Sequence, residues 1–150
     1  MTDAATAPTA RAAPLPPAAG EAVLWAFAAY GLVFVALPDL ARAWPFEAMF
    51  YAGARPAALE DPEADRALDF YAGLVGALTS GWFVTAALSL RSRERRAWNA
   101  ALAGIAVWFI ADSAASLATG FPQNVATNAG FAALGAGVLI ATRPGIRRTV

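Results

Sequence analysis

One carboxylate stands alone in the apolar part of this sequence. Asp112 lies in the run Ala97–Thr119, which carries no other charge. An Asp at the centre of a helix in a bilayer costs roughly 2.5–3.5 kcal/mol, so its side chain must face other helices or a water-filled cavity. Six residues could share that environment. Ser116 follows Asp112 by four residues and Trp108 precedes it by four, so all three lie on one helix face. Asn124 and Asn128 form a second pair spaced by four, and Tyr71 and Asp69 fall at comparable depth on another run. Three chemistries are open to this set. Asp112 could titrate or bind a ligand in an outward-facing polar pocket. It could instead act as a structural clamp, hydrogen bonded to Asn128, Tyr71 and Ser116 so as to fix helix register. Or it could serve as a general base on lipid, which needs a second catalytic group, and Asp69 is the only acid nearby.

Other chemistry is excluded by composition. The chain has no Cys, His or Lys, so it lacks Ser-His-Asp and Cys-His triads, a Cys/His zinc site, a His-ligated haem, a Schiff-base lysine and a P-loop. No metal or cofactor is expected. Eleven Arg balance eleven Asp and Glu, the pI is near 6.2, and no long basic run offers a nucleic-acid footprint. The bias to Ala and Arg fits a GC-rich bacterial genome.

The elements that must position these residues follow from the apolar runs. Of 150 residues, 59% are hydrophobic and 15% charged, more apolar than a soluble domain even before Gly is added. The first run, Ala22–Leu37, is closed by Pro38 and Asp39; the second, Ala67–Leu90, is broken only by Asp69; the fourth, Val125–Thr142, has no charge. With the Asp112 run they make four stretches long enough to cross a bilayer. The expected fold is all-α: an integral membrane antiparallel four-helix bundle over 21–143, with spans at about 21–40, 67–90, 97–119 and 124–142. A disordered Ala/Pro-rich tail over 1–20 and a short cytoplasmic tail over 144–150 flank it. The connector from Ala41 to Arg66 mixes aromatics, prolines and acids. It reads either as a segment lying in the interface or as an aromatic belt followed by a polar loop.

Depth can be paired across the short turns. Counting outward from Arg93-Glu94 and from Pro122 puts Tyr71, Ser116 and Asn128 at one level, good to about one helical turn of 5.4 Å. Asp112 lies a turn deeper, and Asp69 and Asn124 nearer the surface. Trp108 and Trp82 fall too far from either interface to be anchors, so their N–H groups should find partners within the bundle. Gly73, Ala77 and Gly81 on span two, and Ala129, Ala133 and Gly137 on span four, form small-residue stripes suited to close helix packing.

Orientation follows from the basic residues. Eight of the eleven Arg, among them Arg91, Arg93, Arg95, Arg96, Arg143, Arg147 and Arg148, fall on the side that holds both termini, which is therefore expected to be cytoplasmic.

The stretch Phe70-Tyr71-Ala72-Gly73-Leu74-Val75-Gly76-Ala77, with Gly81-Trp82, Arg96-Ala97-Trp98, Trp108-Phe109, Asp112-Ser113, Ser116 and the Asn124/Asn128 pair, resembles small bacterial four-span membrane proteins of the DoxX-like and BphX-like kind. That resemblance covers spans two to four and implies a four-helix membrane bundle without an agreed activity, with DoxX-like members acting as accessory subunits of membrane redox or stress systems. The leading expectation is a non-enzymatic inner-membrane accessory or assembly subunit. Its partners would be the lipid bilayer and another membrane protein or a second copy in a homodimer, with no nucleic acid. The alternative is a small proton-linked transporter or ligand-binding permease with Asp112 in its pocket.

Overall fold

In a computed structural model, residues 15–51, 56–57 and 60–143 are described. The elements are α1 (Pro17–Ala36), α2 (Pro38–Ala41), α3 (Ala48–Tyr51), α4 (Pro62–Ser92), α5 (Arg95–Ala118) and α6 (Gln123–Thr142), with no strand among the described residues. Four of them, α1, α4, α5 and α6, are long and apolar enough to cross a membrane. Arg11, Arg55, Arg147 and Arg148 and the tails 1–14 and 144–150 lie outside the described residues.

Proline sets the limits of α1. Pro16 caps the helix and Pro17 occupies its first turn, where a missing N–H costs nothing. Ala18 and Ala19 are strong helix formers, so the helix begins at Pro17, inside the segment expected to be tail. It stops at Ala36 because Pro38 can neither donate to the helix nor clear the carbonyl four residues back. The first span is therefore displaced toward the N-terminus relative to 21–40.

The first part of the connector, through Tyr51, is helical rather than loop-like. After α2 the chain makes a wide turn over Arg42–Glu47, broken at Trp44 (φ −149°, ψ 118°). Trp44 precedes Pro45, whose ring forces its predecessor into extended backbone. The turn brings Phe46 against Phe34, ring centroids 6.1 Å apart, and α3 brings Tyr51 to 6.4 Å from Phe121.

α4 starts earlier than the apolar run because its polar first turn is well made. The Asp61 carboxylate accepts from the Glu63 N–H at 3.0 Å, Pro62 follows the cap, and Glu63 and Asp65 complement the positive end of the helix. Arg93, in the left-handed region at φ 56°, turns the chain into α5. α5 ends at Gly120 (φ 83°), with the Phe121 N–H on the Ser116 carbonyl at 2.8 Å and the Gly120 N–H on Leu117 at 3.3 Å, the paired bonds of a Schellman stop.

α1 packs on α4 from Gly20 to Phe34, with partners numbered in opposite senses: Gly20 lies near Leu90, Ala28 near Ser80, and Gly31 and Phe34 against Gly76. A Cβ on Gly31 would sit 2.6 Å from the Gly76 carbonyl oxygen, and one on Gly76 would sit 2.6 Å from the Phe34 Cβ. Ser80 Oγ crosses this seam to donate to the Ala28 carbonyl at 2.8 Å. Below it, Leu24, Phe83, Ala87, Leu90, Ile105 and Leu139 form the main core. Trp98 closes that end: its indole N–H donates to the Leu139 carbonyl at 2.8 Å, and Arg143 lies 5.5 Å over its ring.

The small-residue stripes named from the sequence are not the packing faces. Beyond the adjoining residues and the helix's own backbone, no atom lies within 4 Å of where a Cβ would stand on Gly73, Gly81 or Gly137, and Ala77, Ala129 and Ala133 are exposed. On α4 the buried line is Ala72, Gly76 and Ser80, one residue before the expected stripe and therefore about 100° around the helix. Both lines are small, so only the partner helix decides between them. The outward faces carry Leu32, Phe70, Leu78, Val107, Ile110 and Leu117 instead.

Candidate functional site

α4 packs closely on α1 but stands off from α5, its neighbour in the chain. Two indoles occupy the space between them: Trp82 and Trp108 lie 5.6 Å apart at 31°. The glycine seam draws α4 toward α1, the tryptophans hold α5 away, and a cavity of about 760 Å³ results between the four long helices. Its walls are aromatic. Trp82 and Trp108 face Tyr30 and Phe34 of α1, Phe46 of the connector and Phe131 of α6. Phe83 stacks on Phe27 at 4.9 Å behind them, and Phe27 meets Phe131 edge-on at 5.8 Å.

One part of the wall is polar, formed by Asp112, Asn124, Thr127 and Asn128. Asn124 Nδ2 donates to Ser116 Oγ at 2.9 Å and reaches Asp112 Oδ1 at 3.4 Å. Ser116 Oγ in turn donates to the Asp112 backbone carbonyl at 2.7 Å. The pairing therefore differs by one turn from the depth count: Asn124, not Asn128, meets Ser116. Asn128 sits one turn further along α6, 3% exposed, and among the described residues its Nδ2 has no hydrogen-bond partner; nor has the buried Ser113 Oγ. A buried donor left unmade costs about 1–3 kcal/mol, so such a group at a cavity wall is a ready contact for something that enters.

Two expected members are elsewhere. Tyr71 is 60% exposed and packs against Phe70 on the outer face, 5.7 Å between centroids. It shares a level with Ser116 but lies on the wrong side of α4, one residue away from the buried Ala72. Asp69 belongs to a separate charged cluster. Arg42 Nε donates to Asp69 Oδ1 at 2.8 Å, and the same guanidinium reaches Asp39 at 3.3 Å, Glu47 at 3.4 Å and Asp65 at 3.3 Å. The bond to Asp69, followed by its other acidic neighbours, pushes the Arg42 guanidinium further into its charged range against the cost of burial. Arg66 pairs with Glu63 at 3.7 Å on the exposed surface and leaves Asp112 without a cation; among the described residues, Asp112 has no ion pair. Nor is any group of three acidic side chains among the described residues arranged to hold a metal ion.

Trp82 and Trp108 line the cavity, but neither indole N–H has a hydrogen-bond partner among the described residues; only the Trp98 N–H is matched in that way by a buried carbonyl. The residues that sequence reasoning missed are Arg42, Tyr30 and Thr127. Arg42 had a signal, a lone cation between Asp39 and Glu47 in a proline-kinked segment. Tyr30 had none, because no short turn ties α1 to the other long helices.

The exposed Arg91, Arg93, Arg95 and Arg96 cluster at the α4–α5 turn, with Arg91 3.8 Å from Glu21. Asp112 stands seventeen residues along α5 from Arg95, or about 25 Å at the helical rise. The polar wall and the basic turn thus lie toward opposite ends of the molecule. Comparison with protein-family models, with curated proteins and with solved structures finds no match for this chain.

Proposed function

We propose that this is a multi-pass protein of the cytoplasmic membrane. In this reading its four long helices form an antiparallel bundle with both termini on the Arg-rich cytoplasmic side, and the cavity at Asp112 binds a small, largely apolar molecule as part of a carrier or permease. One observation supports this reading above the others: an aromatic cavity of about 760 Å³, with one polar wall, lies between four helices whose exposed large side chains are mostly aliphatic. Ligand sites have this make-up, predominantly apolar with a few convergent polar groups, and the volume is in their range. Aliphatic outer faces over four spans suit lipid as the surrounding solvent. The clamp reading asks Asp112 to be well bonded, yet its carboxylate has one long contact. The lipid-enzyme reading asks for Asp69 as a second group, and Arg42 holds it.

The accessory-subunit reading has one observation in its favour, the outward position of the two small-residue stripes, which would accept a helix of another membrane protein. Affinity purification in mild detergent separates the two: a stoichiometric partner supports the accessory role.

The pocket is tested with the protein labelled with 5-fluorotryptophan and reconstituted in nanodiscs. A neutral aromatic ester, 3,3-dimethylbutyl benzoate, should move the fluorine resonances of Trp82 and Trp108 and leave Trp98 unmoved. Shifts confined to the exposed Trp25 and Trp44 would mean partition into lipid alone, and would contradict the proposal.

A further inference from the structure

We infer that the cavity's ligand is an organic ammonium ion with an aromatic or apolar body, its cationic head held between the Asp112 carboxylate and the faces of Trp82 and Trp108. This rests on the pocket reading above and narrows it to one chemical class.

Arg42 is engaged by four carboxylates, Arg66 by Glu63 and Arg91 by Glu21, so none of them is placed to serve Asp112. Among the described residues the carboxylate has only the Asn124 amide at 3.4 Å, at the outer limit of a hydrogen bond. Asp112 is half-buried, and a ligand of opposite charge would give its carboxylate the partner that the described residues do not supply.

The walls favour the same sign. Tyr30, Phe34, Phe46, Trp82, Trp108 and Phe131 all border the cavity, and each aromatic face carries the negative side of its quadrupole. A bare metal ion or a primary ammonium needs several oxygen ligands to replace its water, which this cavity supplies from one wall only. A quaternary or otherwise weakly hydrated ammonium needs none, and is received by aromatic faces in water-poor sites. An anion would meet the Asp112 carboxylate and aromatic walls, with no cationic side chain among the described residues that line the cavity. A neutral apolar ligand would fill the volume and leave the carboxylate as it was.

The unpaired Asn128 Nδ2 is a second, independent feature of the polar wall. Buried and bordering the cavity, it offers a donor to an ester, ether or hydroxyl oxygen carried near the ammonium head. An amphipathic cation of this build satisfies the carboxylate, the amide and the aromatic walls together.

The test uses two probes of equal shape. Benzoylcholine carries a trimethylammonium head, an ester oxygen and a phenyl ring, and 3,3-dimethylbutyl benzoate replaces only the charged nitrogen by carbon. Both are titrated into full-length 5-fluorotryptophan-labelled protein in nanodiscs, reading Trp82 and Trp108 against free ligand in the aqueous phase. Benzoylcholine should half-saturate these signals at a concentration lower by about tenfold or more. Asp112→Asn should shrink that difference severalfold, and Asp112→Glu, which keeps the charge, should retain it; the Glu variant serves if the Asn variant does not fold. Equal binding of the two probes to the parent protein would overturn the cation inference and leave the pocket standing. Failure of both probes to move Trp82 and Trp108 would remove the pocket reading and this inference with it.

Discussion

The two faces of α4 follow opposite designs. Toward α1 it presents Ala72, Gly76 and Ser80, and the backbones close until Gly31 and Gly76 touch. The acids beyond that seam are gathered on Arg42. Toward α5 and α6 it presents Trp82 beside Thr79, the helices stand apart, and the one nearby acid has no cation among the described residues. Small residues with satisfied charges make a joint, whereas large flat residues with an unsatisfied charge make a space. Substitutions on the first side should therefore act on stability, and those on the second on binding.

The largest effect is expected at the seam. Gly31→Leu places a side chain against the Gly76 backbone, which cannot move aside without parting α1 from α4, and should lower stability by about 3 kcal/mol in detergent melts. Full assembly of this variant at unchanged melting temperature would show that the seam is not a joint. Next in size, Arg42→Ala leaves Asp39, Glu47, Asp65 and Asp69 facing one another. Because the cluster is partly exposed, the loss should be about 2 kcal/mol, below that for a fully buried pair. The raised Arg42 pKa means its charge is complete in folded and unfolded chains alike below about pH 12, so no alkaline loss should appear under ordinary conditions. On the cavity side, Asp112→Asn should change stability by less than about 1 kcal/mol, since it breaks no ion pair. A loss as large as that of Arg42→Ala would restore the clamp reading. Smallest is Gly104→Ala, where the new Cβ meets only Trp82 Nε1, at an ordinary 3.4 Å. Reduced freedom of the unfolded chain should stabilise the protein by about 0.5 kcal/mol, the opposite sign to the seam glycine.

Much of this organisation is legible in the residues. The four apolar runs and their short turns place the long helices within a few residues, because proline, glycine and charge mark most of the ends. Asp112, Ser116, Asn124, Asn128, Trp82 and Trp108 are brought to one region because intervals of four and short turns fix relative depth. Direction around a helix is another matter. Tyr71 and the Gly73 stripe were misplaced by about 100°, since 72-76-80 and 73-77-81 are both small and nothing local distinguishes them. Contacts with α1 were equally hidden, because the long folded connector erases the depth count. That is why Arg42 and Tyr30 emerge only from the structure.

The proposed carrier role requires that ligand and water reach the cavity from outside a bilayer. The chain has no cysteine, so a single introduced thiol reports its own position. Thr127→Cys, on the cavity wall, should react with a membrane-impermeant methanethiosulfonate in intact vesicles and be protected by benzoylcholine, whereas Ala87→Cys, fully buried in the core, should stay unmodified. Thr127→Cys as inert as Ala87→Cys, with both proteins folded, would contradict the account.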